Sequence, residues 1–156
     1  MFAIRSLFAA LRRRRPTTAL ARGVIALERT DYAVALAEFD RAEADASDDG
    51  ARAKLANKRG VAHVGRGDRG RALAAFALAL RYDDRCAPAL TNIGNLLCED
   101  GHPADAIDYY AAALRADATY ALAHQNLGVA LKAQGRHGEA VRSLRAATRL
   151  AGKRRA

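Results

Sequence analysis

Apolar residues along this chain recur in one order: a small residue, a bulky one four positions on, and a second small one three beyond that. The order occurs as Ala35, Phe39 and Ala42, then Ala72, Phe76 and Ala79, then Ala106, Tyr110 and Ala113, and last Ala140, Leu144 and Ala147. Positions four and seven apart share one side of an α-helix, so each triplet predicts a helix with an apolar seam. Twelve residues before each triplet stands a glycine, Gly23, Gly60, Gly94 or Gly128, separated by 37, 34 and 34 residues. The phrase around the third, "NIGNLLCEDG", is nearly respelled around the fourth as "NLGVALKAQG". A 34-residue period suits two helices and their turns, and therefore predicts four helix pairs stacked in series. Between the helices of a pair lie Gly67, Gly101 and Gly135, with Thr30 and Asp31 in the first unit, where a left-handed residue is needed to end a helix. The glycine of each first helix is expected to meet the small residues of the second, so that the backbones close up and the bulky residue fills the next gap.

Composition agrees with helix. Apolar residues make up 51% of the chain, with no Trp and only three Pro, and many of them are Ala. Alanine has the highest helix propensity, while strands draw on branched and aromatic residues. A chain of 156 residues suits one domain.

The third unit, "APALTNIGNLLCEDGHPADAIDYYAAALRADATY", resembles a tetratricopeptide repeat along its whole length, and the fourth, "ALAHQNLGVALKAQGRHGEAVRSLRAATRLAGKR", is similar. The resemblance implies an all-α fold, a right-handed α-solenoid of about four antiparallel helix pairs, here with an extra N-terminal amphipathic helix. The expected divisions are residues 1–15, repeats at 16–49, 53–86, 87–120 and 121–152, and a basic tail at 153–156. Two departures stand out. Arg22 and Arg59 precede the glycines of the first two units where Ile93 and Leu127 supply a bulky apolar residue later, so each Arg needs a carboxylate partner or a stem reaching water. Three extra residues at 50–52 predict a longer connection between the first two units.

The resemblance also implies a function: such proteins bind other proteins or peptides and carry no chemistry of their own. Ligand contacts fall on the inward positions of the first helices, which here are Lys54, Asn57, Val61 and Val64, then Thr91, Asn95, Cys98 and Glu99, then Leu122, Gln125, Val129 and Lys132. Neutral amides among them suit an extended peptide, since Asn and Gln satisfy backbone donors and acceptors without a charge. One family variant clamps a C-terminal carboxylate with cations on successive first helices. Here Lys54 and Lys58 are followed by Asn92, but Leu122 and Asn126 stand where further cations belong, which argues against a chaperone-tail binder.

Charge modifies the picture only at the ends. The net charge is +9, yet residues 1–27 hold six Arg and no acid, residues 145–156 hold five cations and no acid, and 15 basic against 17 acidic residues lie between. In the segment "MFAIRSLFAALRRRRP" a helix would align Ile4, Leu7, Phe8 and Leu11, with Arg5, Arg12 and Arg13 largely elsewhere, until Pro16 ends it. It can cap the first unit or stay disordered, lie in an anionic membrane surface, or act as an Arg-rich targeting segment. The protein is accordingly expected in the cytoplasm, with the inner face of a membrane as the peripheral alternative. At the other end the outer edge of the last helix, with Val141, Leu144 and Leu150, is expected to stay uncovered and to favour self-association.

Other chemistries lack their patterns. His63, His102, His124 and His137 fall at four different places in the repeat and do not pair with Cys or carboxylates at ligand spacing. Cys86 and Cys98 match neither a redox pair nor a metal knuckle. "GRGDRG" at 65–70 closes a helix-turn-helix rather than following a strand, so no nucleotide cofactor is implied. No enzyme is expected. A basic cluster of Arg52, Lys54, Lys58, Arg59, Arg66, Arg69 and Arg71 has no interleaved aromatics for base stacking, which disfavours nucleic acid.

Overall fold

The structure, a computed structural model, describes residues 18–153. The amphipathic segment expected over residues 1–15 and the end of the basic tail lie outside the described residues. Among the described residues there are eight α-helices and no strand: α1 Ala19–Glu28, α2 Tyr32–Ala42, α3 Asp49–Gly65, α4 Arg69–Tyr82, α5 Ala87–Glu99, α6 Pro103–Ala116, α7 Ala121–Ala133 and α8 His137–Lys153. A short 3-10 turn, Glu43–Asp45, follows α2.

Local sequence sets the ends of these helices. Thr18, Asp31, Asp48 and Asp68 each accept the backbone N–H three residues on, at 3.2, 3.3, 2.8 and 3.0 Å, which satisfies a first-turn donor. α5 and α6 instead carry Pro88 and Pro103 in their first turns, where a missing N–H costs nothing. The first helix of each later pair stops at a glycine in the left-handed region: φ is +75° at Gly67, +81° at Gly101 and +72° at Gly135. Thr30 takes that conformation in the first pair, at φ +59°.

The helices form four antiparallel hairpins, α1/α2, α3/α4, α5/α6 and α7/α8, and each hairpin packs on the next. The first helices α1, α3, α5 and α7 also touch one another in succession, and the second helices have no comparable contact. The stack is therefore tighter on the first-helix side, which makes that side concave. This is the all-α solenoid that the period predicts.

The glycine contact differs in detail from the expectation. A β-carbon at Gly94 would stand 2.6 Å from Tyr110 Cε1, one at Gly128 would stand 2.6 Å from Leu144 Cγ, and Gly23 and Gly60 meet Phe39 and Phe76 in the same way. The bulky residue thus lies directly on the glycine of its partner helix rather than in the next gap. The seam alanine sits beside it, with Ala35 O 3.3 Å and Ala140 O 3.2 Å from those virtual carbons at Gly23 and Gly128. Phe39, Phe76 and Tyr110 are buried, and each such ring contributes roughly 2–3 kcal/mol of burial. Tyr32 covers Gly65 at the end of α3 in a contact that ties the first hairpin to the second.

Both exceptional arginines have carboxylate partners. Arg22 donates through Nε to Glu38 at 2.9 Å, and Glu38, itself buried, also pairs with Arg41. The Arg22 hydrogen bond holds the Glu38 carboxyl below its ordinary value. Arg59 is bound by Asp40 and by Glu43, the latter at 2.8 Å, and these bonds outweigh burial to hold its guanidinium more firmly charged. The connection between the first two hairpins is longer, as expected: residues 43–48 with their 3-10 turn, six against four in each later one, although the extra residues 50–52 are not themselves part of it. The later connections are 83–86 and 117–120, and residues 50–52 lie inside the first turns of a longer α3. Asp48 caps α3 early enough to take them into the helix.

Candidate functional site

The concave face is built by three consecutive first helices, α3, α5 and α7. Asn57 of α3 accepts a hydrogen bond from Nδ2 of Asn92 of α5 at 2.9 Å. One helix further, Asn95 of α5 accepts from Nδ2 of Asn126 of α7 at 2.7 Å and from the Tyr110 hydroxyl at 2.9 Å. Tyr110 Oη also lies 3.6 Å from Cys98 Sγ, and burial pushes its phenol well above the ordinary value. Two side-chain amide bridges therefore join the three helices. In each bridge one Nδ2 and one Oδ1 are used, which leaves Nδ2 of Asn57 and Asn95 to donate and Oδ1 of Asn92 and Asn126 to accept.

The remaining expected residues divide into three groups. Lys54, Val64, Leu122, Gln125, Val129 and Lys132 are exposed, with Val129 at 59% and Leu122 at 43%, and Val61 is half-buried. Glu99 is exposed but engaged: Arg69, from the start of α4, binds it at 2.7 Å, together with Asp100 at 2.8 Å and the Leu96 carbonyl at 2.7 Å. Those carboxylates raise the hold of Arg69 on its proton. Thr91 departs from the expectation, since it is fully buried and its hydroxyl has no partner. α5 is covered by α3 on one side and α7 on the other, so a position that is open in α7, at Gln125, is closed in α5.

Asn92 and Asn126 were missing from the expected contact set although they lie 34 residues apart, each two before its glycine. The signal was that period; Lys58, at the same position in α3, hides it. Among the basic cluster, Arg52, Arg59, Arg69 and Arg71 are each paired with a carboxylate, Arg52 to Asp49 at 3.0 Å and Arg71 to Asp68 at 3.2 Å. The field of the cluster is reduced accordingly. Among the described residues no group of three His, Cys, Asp or Glu side chains is placed to hold a metal. No described helix is long and apolar enough to cross a membrane.

A family model described as tetratricopeptide repeat matches residues 57–121 and again residues 91–155, together more than half of the chain. The chain belongs to the tetratricopeptide repeat family. Solved structures of this fold superpose on it. MamA matches with a TM-score of 0.68 at 20% identity, over 97% of this chain and 86% of that one. YrrB, a tetratricopeptide repeat protein with an unusual peptide-binding site, gives 0.62 at 20% identity over 85% and 66%. The second such domain of Spaghetti (RPAP3), bound to the HSP90 peptide SRMEEVD, gives 0.60 at 20% identity over 64% and 92%. No curated protein matches the sequence. The tetratricopeptide fold is that of a protein-interaction scaffold.

Proposed function

We propose that the concave face of this tetratricopeptide solenoid binds an extended peptide or a helix of a protein partner, along α3, α5 and α7. The observation that carries the reading is the pair of amide bridges, which present spare donors and acceptors beside exposed Leu122 and Val129. Spare amide groups suit the main chain of a peptide, and the two aliphatic residues suit its apolar side chains. A groove already held in shape by the bridges lowers the ordering cost of binding. One neighbour bound to a peptide and a second with a peptide-binding site support a peptide as the ligand class. Leu122 and Asn126, in place of cations, point away from a carboxylate-terminated chaperone tail.

The test uses peptides selected from a random display library against the full-length chain. Their affinity for a Leu122→Asp, Val129→Arg variant of unchanged helicity should fall at least about tenfold, as loss of an apolar anchor does. Equal affinity would place the binding face elsewhere.

A second surface supports self-association. Between α7 and α8 lies a groove of ≈ 740 Å³ lined by Leu122, Leu144, Ala147, Thr148 and Ala151, and Val141 on α8 is 46% exposed. Leu144 is half-buried here, whereas its equivalent in the preceding hairpin, Tyr110, is buried beneath α7. A helix from a second copy has the same place to occupy. Sedimentation at rising concentration tests this, and a strict monomer throughout would reject it.

A further inference from the structure

At the junction of the first two hairpins the solenoid carries a hollow of ≈ 200 Å³. It is walled by Leu20 of α1, Ala42 at the end of α2, Ala46, and Ala51 and Leu55 of α3, with Thr18 and Asp45 completing the lining. The lining is apolar except at its margin. Leu20 is 40% exposed, and Asp45 makes no hydrogen bond or ion pair among the described residues. The hollow has room for one bulky side chain rather than a helix.

Thr18, which caps α1, is also where residues 1–17 join the described structure. The sequence of that segment brings an apolar residue and then a run of cations to this point: Leu11, then Arg12, Arg13, Arg14 and Arg15, then Pro16. Six residues lie between Leu11 and Thr18, so seven Cα–Cα steps span up to about 25 Å, ample for Leu11 to return to a hollow that Thr18 itself lines. The acids opposite lie within one stretch, "EADASDD" at 43–49. Glu43 is engaged by Arg59, Asp49 by Arg52, and Asp48 caps α3, so Asp45 is the carboxylate left to meet a cation.

We propose that residues 1–15 of this same chain dock on this hollow, with Leu11 filling it and the Arg12–Arg15 run lying against Asp45. The arginine tract is then held on the solenoid, and an anionic surface must compete with Asp45 for it. The occupant is fixed by its tether, by the match of one bulky side chain to the volume, and by opposite charge at the margin. This inference is independent of the peptide groove.

Disulfide trapping in the full-length chain tests it. Leu11→Cys and Ala51→Cys are introduced together with Cys98→Ser, and buried Cys86 is kept. Under mild oxidation the expected product is a bond within one chain, at monomer mass, formed about fivefold more slowly when Asp45→Lys is added. Bonds only between two chains, no bond, or a rate insensitive to Asp45→Lys would each overturn the proposal. A measurement without new cysteines reads the same contact. In a Leu11→Asp chain of unchanged helicity, backbone amides across residues 51–55 should exchange several-fold faster than in the natural chain, and unchanged exchange would also overturn it.

Discussion

Gly94→Ala separates the contact reading of the repeat from ordinary helix propensity, because the two predict opposite signs. In a helix interior the change gains about 1 kcal/mol by propensity alone. At Gly94, however, the new β-carbon would lie 2.6 Å from Tyr110 Cε1 and 3.0 Å from Cδ1 and Cζ, against a resting carbon contact of ~3.5 Å. The ring cannot simply swing away, because it is buried and its hydroxyl is held by Asn95. A carbon at 2.6 Å lies at the severe end of overpacking, about 2–3 kcal/mol, so after the propensity gain the net loss is about 1–2 kcal/mol, or a fall in Tm of about 2–8 °C. Urea unfolding followed by helical circular dichroism measures it. Gly70→Ala is the internal control: its nearest neighbour would be 4.0 Å away, and it should gain a few tenths of a kcal/mol. With Tyr110→Val in the background, Gly94→Ala should lose its penalty, and the double-mutant cycle gives the coupling. A Gly94→Ala protein as stable as the natural chain, or more so, would refute the packing argument.

Thr30→Gly relieves a β-branched residue at φ +59° and should raise stability by about 0.5–1 kcal/mol in the same assay, even though the Thr30 hydroxyl bond to Arg29 O is lost. Glu38 has its carboxyl lowered below 4.5 in the folded state, chiefly by Arg22, so its contribution is complete above that pH and is lost as pH falls through the lower value. Glu38→Gln should therefore be less stable than the natural chain at neutral pH and converge with it in acid, as thermal melts at stepped pH will show. Asn95→Leu leaves the Tyr110 hydroxyl and the Asn126 amide without their shared acceptor and should cost about 1–3 kcal/mol, read by urea unfolding.

The solenoid was legible because its main contact repeats: a glycine and, sixteen residues later, a bulky side chain on the facing helix. Period and residue size suffice for that. The need of Arg22 and Arg59 for carboxylates was legible too, but the identity of the partners depends on which turns of two helices meet. Thr91 illustrates what a single-helix reading loses. Its position is inward in the repeat, but its exposure is decided by having a neighbouring helix on both sides, a property of the stack. The amide bridges escaped notice because they join different repeat positions, Asn57 to Asn92 and Asn95 to Asn126, so aligning like with like does not reveal them. The 50–52 insertion was visible as extra length, but its place inside α3 follows from the Asp48 cap.

The two bridges lie on the inner rim of the curved wall, and among the described residues the outer layer shows no counterpart that joins its helices. Straightening the wall would strain the rim first, where each bridge resists with about 0.5–1.5 kcal/mol. For the partner proposed on this face, a wall braced on one side would act as a calliper, admitting a guest of the preset width and resisting a thicker one.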